Sequence, residues 1–152
     1  MLRIAACSLL ALLASQPALA EQTFQCGNAT VTISIDTTSP LRSIEGVDVM
    51  LRVDQGPRST LLRYSNIDFI GGDCDTDARG SPIIVYQAIC GGSGCYDLSN
   101  WGLIDPVNLQ ALLAPADDSL VPATRLLGHP PVLKVPKMSL STEAHRLGLP
   151  TP

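Results

Sequence analysis

Two stretches of this chain change polarity at every step, and they restrict the possible folds more than any other feature. Thr30-Val31-Thr32-Ile33-Ser34-Ile35-Asp36 places Val31, Ile33 and Ile35 on one side. Asp48-Val49-Met50-Leu51-Arg52-Val53-Asp54 repeats the pattern with Val49, Leu51 and Val53. A period of two is that of a strand with one buried face. Thr38-Ser39-Pro40, Glu45-Gly46 and Gln55-Gly56-Pro57 are the breaks between and after these stretches. Further strands are expected over Ser59–Tyr64 and Ile67–Ile70, followed by a polar loop from Gly71 to Gly80. Ile83-Ile84-Val85-Tyr86-Gln87-Ala88-Ile89-Cys90 is apolar on both faces, which predicts a central strand. A hairpin is expected from Trp101–Ile104 and Asn108–Leu113 around Asp105-Pro106.

Beyond these strands the sequence turns helical. Asp117 or Asp118 is a candidate cap for a short helix through Leu127, with Pro122 in its first turn and Gly128 as its stop. Residues 128–137, with Pro130, Pro131 and Pro136, should run extended. Ser139 is placed to cap a last helix up to Leu147, closed by Gly148 and Pro150. The expected fold is mainly β: a small antiparallel sheet or barrel-like domain with one or two short C-terminal helices. Strands and helices do not alternate, which argues against a Rossmann-type sheet.

The first twenty residues read as a signal peptide. Arg3 is followed by an apolar run from Ile4 to Ala14, and Ala18-x-Ala20 supplies the small residues of a cleavage site. The run falls short of the roughly 20 apolar residues that span a bilayer, so no membrane anchor is expected in the mature form. The organisation read from sequence is a signal peptide over 1–20, a disulfide-bonded β-rich domain with a short helix over 21–127, and a Pro-rich tail with a possible short helix over 128–152. The destination is the periplasm or the exterior.

Cysteine usage agrees with export. Cys7 leaves with the signal peptide, and Cys26, Cys74, Cys90 and Cys95 remain. Four cysteines admit three pairings; Cys26–Cys74 with Cys90–Cys95 is the preferred one, because Gly91-Gly92-Ser93-Gly94 is flexible enough to close a short loop. The whole chain carries a formal charge of −4, and loss of Arg3 leaves the mature part at −5. An acidic balance argues against nucleic acid, which demands a basic face. It suits a basic protein partner.

Four groups of residues invite chemistry. Asp73, Asp75 and Asp77 alternate, and carboxylates so spaced can converge on calcium. An EF-hand loop starting at Asp73, however, calls for Gly at 78 and Glu at 84, where the chain has Ala78 and Ile84; a solvated acidic loop is the plainer reading. Gly91-Gly92-Ser93-Gly94-Cys95 misses the hydrolase elbow Gly-x-Ser-x-Gly by its last residue, and a nucleophilic Cys95 would need a free thiolate beside a histidine. His129 and His145 are the only histidines, too few for a zinc site of three or four close ligands. No cofactor is expected. Tyr96 and Trp101 are two of only six aromatics in the chain and share one short segment. Such residues anchor protein interfaces when exposed and cap cores when buried.

Thr23-Phe24-Gln25-Cys26, the alternating strand behind it, and Ser93-Gly94 with Tyr96 together resemble the membrane-bound or periplasmic C-type lysozyme inhibitors. Here Cys95 stands between Gly94 and Tyr96. That family is a small β-barrel whose Ser-Gly loop enters the lysozyme active site. The size, export signal and cysteines are also similar in kind to small periplasmic immunity proteins. Either resemblance implies a steric inhibitor of an envelope-targeting enzyme or toxin, with Ser93, Tyr96, Asp97 and Trp101 foremost in the contact surface 91–101. The partner would be a protein, such as a basic envelope hydrolase. The alternatives are a calcium-stabilised envelope module at Asp73, Asp75 and Asp77, and a small hydrolase using Cys95 or Ser93.

Overall fold

A computed structural model describes residues 21–37, 47–90 and 100–149. Among these residues the chain forms an eight-stranded antiparallel sheet with two short helices towards the C-terminal end. The first seven strands form a meander in which each pairs with its neighbour in sequence: β1 Glu21–Cys26, β2 Ala29–Ile35, β3 Val47–Gln55, β4 Arg58–Thr76, β5 Pro82–Cys90, β6 Trp101–Asp105 and β7 Gln110–Leu113. Helix α1 covers Leu120–Leu127. The two-residue strand β8, Met138–Ser139, then pairs with β4 and leads into α2, Leu140–Arg146.

The alternating stretches behave as their pattern demands. Val31, Ile33 and Ile35 of β2 and Val49, Leu51 and Val53 of β3 are all buried in one core. Strand β5 is buried on both faces, as expected. Its Ile84, Tyr86 and Ala88 point into the same core, whereas Ile83 and Val85 meet Leu103, Ala123 and Leu127 in a second cluster beneath α1. The strand expected at Ser59–Tyr64 and the one at Ile67–Ile70 are a single 19-residue strand, β4. Its first part pairs with β3 and its second with β5, and Ile67 is in register with both Val47 and Cys90. The ladder shifts on both sides of Ile67, and Asn66 sits at φ 59°. Asparagine tolerates that left-handed conformation better than most residues. The irregularity separates the stretch paired with β3 from the stretch paired with β5, and residues of both flanking strands meet in one core.

The polar loop expected over Gly71–Gly80 is strand as far as Thr76. The glycines there answer to crossings, not to a turn. A Cβ on Gly72 would lie 3.0 Å from the Phe24 ring of β1, and one on Gly71 would lie 3.0 Å from the Lys137 backbone of the tail. The true turn is Asp77–Ser81. Gly80 N–H donates to Asp77 O at 2.9 Å, Asp77 N–H donates to Ser81 O at 2.8 Å, and Gly80 takes φ 82°. That is a type I turn closed by a left-handed glycine.

Cys26 at the end of β1 is bonded to Cys74 in the second part of β4, with Cα atoms 5.0 Å apart. The bridge closes a sequence separation of 48 residues and is worth about 4 kcal/mol in the chain-entropy account. Helix α1 starts one or two residues after the expected caps, on Ser119, and stops on Gly128 at φ 84°. Helix α2 follows Ser139 and places Leu140 and Ala144 in the main core.

Candidate interaction surfaces

The segment expected to contact a partner departs from the strand ends where the two stretches of β4 meet. Ser93, Tyr96 and Asp97, together with Cys95, lie outside the described residues; its flanks at Cys90 and Asn100–Trp101 lie within them. Cys90 is disulfide-bonded, and its expected partner Cys95 is among the residues not described. Asn100 is buried and accepts, through its carbonyl, the Ala88 N–H at 3.3 Å. Trp101 N–H donates to Ser119 Oγ at 2.6 Å. The hydroxyl that would have capped α1 is thereby directed at β6, so helix and strand are tied at this point.

Trp101 is not an exposed anchor. It keeps only 9% of its surface and belongs to the cluster of Ile83, Val85, Leu103, Ala123 and Leu127. The reason is α1, whose Ala123 and Leu127 cover this face of β5 and β6. What surface Trp101 retains faces a shallow groove bounded by Pro131–Leu133 and Val135–Lys137, where Lys137 Nζ donates to Gln87 Oε1 at 3.0 Å. Next to it, Gly102 is in register with Tyr86, whose ring covers the space a side chain would fill. Tyr86 is fully buried, and its hydroxyl is 2.7 Å from that of Tyr64. Burial pushes the pKa of both phenols up; for Tyr86 the neighbouring Tyr64 adds to the shift, whereas for Tyr64 the bond to Tyr86 opposes it.

The alternating aspartates do not converge. Asp73 accepts from Cys74 N–H through Oδ1 and from Lys134 N–H through Oδ2, at 2.7 and 3.0 Å. Asp75 Oδ1 accepts from Thr76 N–H at 2.8 Å and lies 3.6 Å from His129 Nε2. Asp77 Oδ1 accepts from the N–H groups of Arg79 and Ser81, both at 2.8 Å. The Ser81 bond is the largest of the causes that lower the Asp77 pKa. Each carboxylate therefore braces backbone near its own position, and Asp73 also ties β4 to the tail at Lys134; no group of three metal-ligating side chains occurs among the described residues. His129 and His145 are both exposed and lie on separate elements.

Sequence reasoning missed a groove at the opposite end of the sheet, where the β4–β5 and β6–β7 turns meet the end of α1. It has a volume of about 460 Å³, within the range of ligand sites. Ile83, Leu103 and Leu127 form its apolar base; Val107, Leu112 and Leu126, all more than 40% exposed, stand around it. Asp77, Arg79 and Asp105 contribute to its polar edge. Asp105 accepts from Val107 N–H at 2.7 Å and from Asn108 Nδ2 at 2.7 Å, and Leu109 closes that turn at φ 58°. Val107, Leu112 and Leu126 lie in a turn, a strand and a helix, and no spacing in the sequence marks them as neighbours.

Comparison with family models, with curated proteins and with solved structures found no match.

Proposed function

We propose that the chain is an exported binding protein, periplasmic or secreted, that sterically neutralises an envelope-targeting enzyme or toxin in the manner of lysozyme inhibitors or immunity proteins. The observation that carries this reading is the way the 91–99 segment is rooted. One flank, Cys90, is in a disulfide, and the other, Asn100–Trp101, is buried and bonded to β5 and α1. Fixed flanks lower the entropy lost when a displayed segment docks. Trp101 contributes as a buried root of the segment, and the contacting side chains are Ser93, Tyr96 and Asp97. Export is supported by a disulfide compatible with an oxidising compartment. A mature charge of −5 speeds encounter with a basic target.

The test is affinity capture of a partner from an envelope extract with the mature chain, repeated with Tyr96→Ala and Asp97→Ala. Loss of capture in these variants, with unchanged melting, is the expected result. Undiminished capture by both removes the segment from the interface. N-terminal sequencing of the exported protein should begin at Glu21; an uncleaved chain refutes the signal peptide.

A further inference from the structure

Both lysines of the chain lie in the stretch that crosses the sheet between α1 and β8, and both ammonium groups turn onto the sheet. Lys134 Nζ donates to Cys74 O at 3.3 Å, and Lys137 Nζ to Gln87 Oε1 at 3.0 Å. Lys134 N–H also donates to Asp73 Oδ2 at 3.0 Å. The valines beside them face water: Val132 is 61% and Val135 42% exposed. Of the residues from Val132 to Lys137, only Leu133 is not exposed, and it is half-buried. A segment laid down for packing alone turns its valines in and its ammonium groups out; this one is inverted. Its ends are different. Pro131 is buried on one side, and on the other Met138 pairs with β4 and Leu140 fills the main core. Beneath the middle, a groove of about 370 Å³ stays open against Gln87 and Trp101, which are in register on β5 and β6.

We propose that Val132–Lys137 is a displaceable strap. Latched by the two lysines, it hides the Gln87–Trp101 face in the closed molecule; lifted, it adds that face to the contact surface for a protein partner. The inference rests on the reading of the chain as a binding protein and concerns the regulation of that binding. The strap can lift because little apolar surface holds it, and segments so held open locally with far less free energy than global unfolding requires. Both lysines are exposed, so water takes up their bonds on opening. The anchors stay: Pro131 and α2 keep their places, and the main core remains shut. The face beneath suits a partner. Trp101 is fixed by Ala123 and Leu127 of α1, and the surface it retains looks into the groove. A rigid indole edge beside a side-chain amide is the kind of anchor that interfaces use, and a cover withholds it from other contacts.

Two measurements on the mature protein test the strap without a partner. In native-state hydrogen exchange, Lys134 N–H should exchange at least about a hundredfold faster than the amides of the β2–β3 ladder, with no dependence on low urea. Trp101 is the lone tryptophan, so quenching of its fluorescence by acrylamide reports the face directly. Lys137→Met should speed Lys134 N–H exchange about tenfold, as expected for loss of one charge-assisted hydrogen bond, and should raise quenching in the folded protein. Acetylation of the two lysines should do the same and serves should the variant misfold. Arg52→Met, which breaks an ion pair on another part of the sheet, should leave quenching unchanged. Because apparent affinity scales with the open fraction, Lys137→Met should tighten partner binding by up to about tenfold. The inference is overturned if Lys134 N–H exchanges only through global unfolding, or if neither Lys137→Met nor acetylation changes the quenching of Trp101. If Tyr96→Ala abolishes capture while Lys137→Met leaves affinity unchanged or weaker, the strap is no cover and the binding reading stands. If neither parent nor variant captures a partner, the neutralising role fails, and exchange and quenching decide the strap alone.

Discussion

Replacing Gly102 with alanine should unfold this protein more readily, although simpler considerations point the other way. A glycine inside a strand gains from a side chain: Gly→Ala reduces the entropy of the unfolded chain and stabilises by about 0.4–1 kcal/mol where the backbone permits it. Gly102 has no left-handed φ to forbid alanine. Its Cβ would, however, fall onto Cζ and Cε1 of the Tyr86 ring, 2.5 Å from the hydroxyl oxygen. Tyr86 is fully buried against Ile84, Ala88 and Ile104 in the main core, so the ring has nowhere to retreat without disturbing that packing. Overpacking of this kind costs about 1–3 kcal/mol, and losing the Tyr64–Tyr86 hydrogen bond adds about 1 kcal/mol. The net expectation is a loss of about 2–3 kcal/mol, read as a lower urea midpoint with unchanged slope. In a domain of this size that corresponds to a fall in Tm of roughly 8–12 °C. Shortening the ring should reverse the effect: in the Tyr86→Leu background, Gly102→Ala should be nearly neutral, giving a coupling energy above about 1 kcal/mol. If Gly102→Ala is as stable as the parent, the ring does not lie where the reasoning places it.

Further outcomes follow from the same geometry. Asp77 has a lowered pKa in the fold, so its bonds to the turn stabilise above the unfolded aspartate value near ~3.9 and fade as pH falls through the folded one. Asp77→Ala should therefore lower Tm at neutral pH, with the difference vanishing in strong acid; a constant difference refutes the role. Tyr64 and Tyr86 have raised values, so their neutral forms stabilise fully below the unfolded tyrosine value near ~10, and that contribution is lost as pH rises past it. Phenolate absorbance of the pair should appear together with alkaline unfolding and not ahead of it. Calcium should leave the melting temperature unchanged, because the carboxylates of Asp73, Asp75 and Asp77 are each engaged with separate backbone amides. A rise equivalent to about 2.7 kcal/mol at a hundredfold excess over Kd would revive the calcium reading.

Much of the sheet was legible because burial there depends on local pattern. Val31, Ile33, Ile35, Val49, Leu51 and Val53 alternate, and a strand with one wet face must alternate. Ile83 to Cys90, Gln87 apart, is apolar on both faces because α1 and the main core claim opposite sides. The unreadable parts depend on what arrives from elsewhere. Gly71-Gly72 reads as a chain break, yet these residues sit inside β4 because β1 and the tail cross there. Asp73, Asp75 and Asp77 read as a solvated acidic loop, with calcium ligation the alternative, but each carboxylate hydrogen-bonds to backbone near its own position, and Asp73 also to Lys134, 61 residues away. Trp101 reads as an interface anchor or a core residue, and a helix beginning nineteen positions later decides for the core. The groove borrows its walls from two turns and a helix end, none of which signals the others in sequence.

The C-terminal segment, which reads as an appendage, completes the molecule. Met138–Ser139 supplies β4 with a neighbour beside Phe69–Ile70, and Leu140 and Ala144 fill the main core. Without it the meander is an unfinished shell with its interior open to water. A truncation that removed this segment and spared every strand of the meander would therefore leave a protein prone to stick to its neighbours.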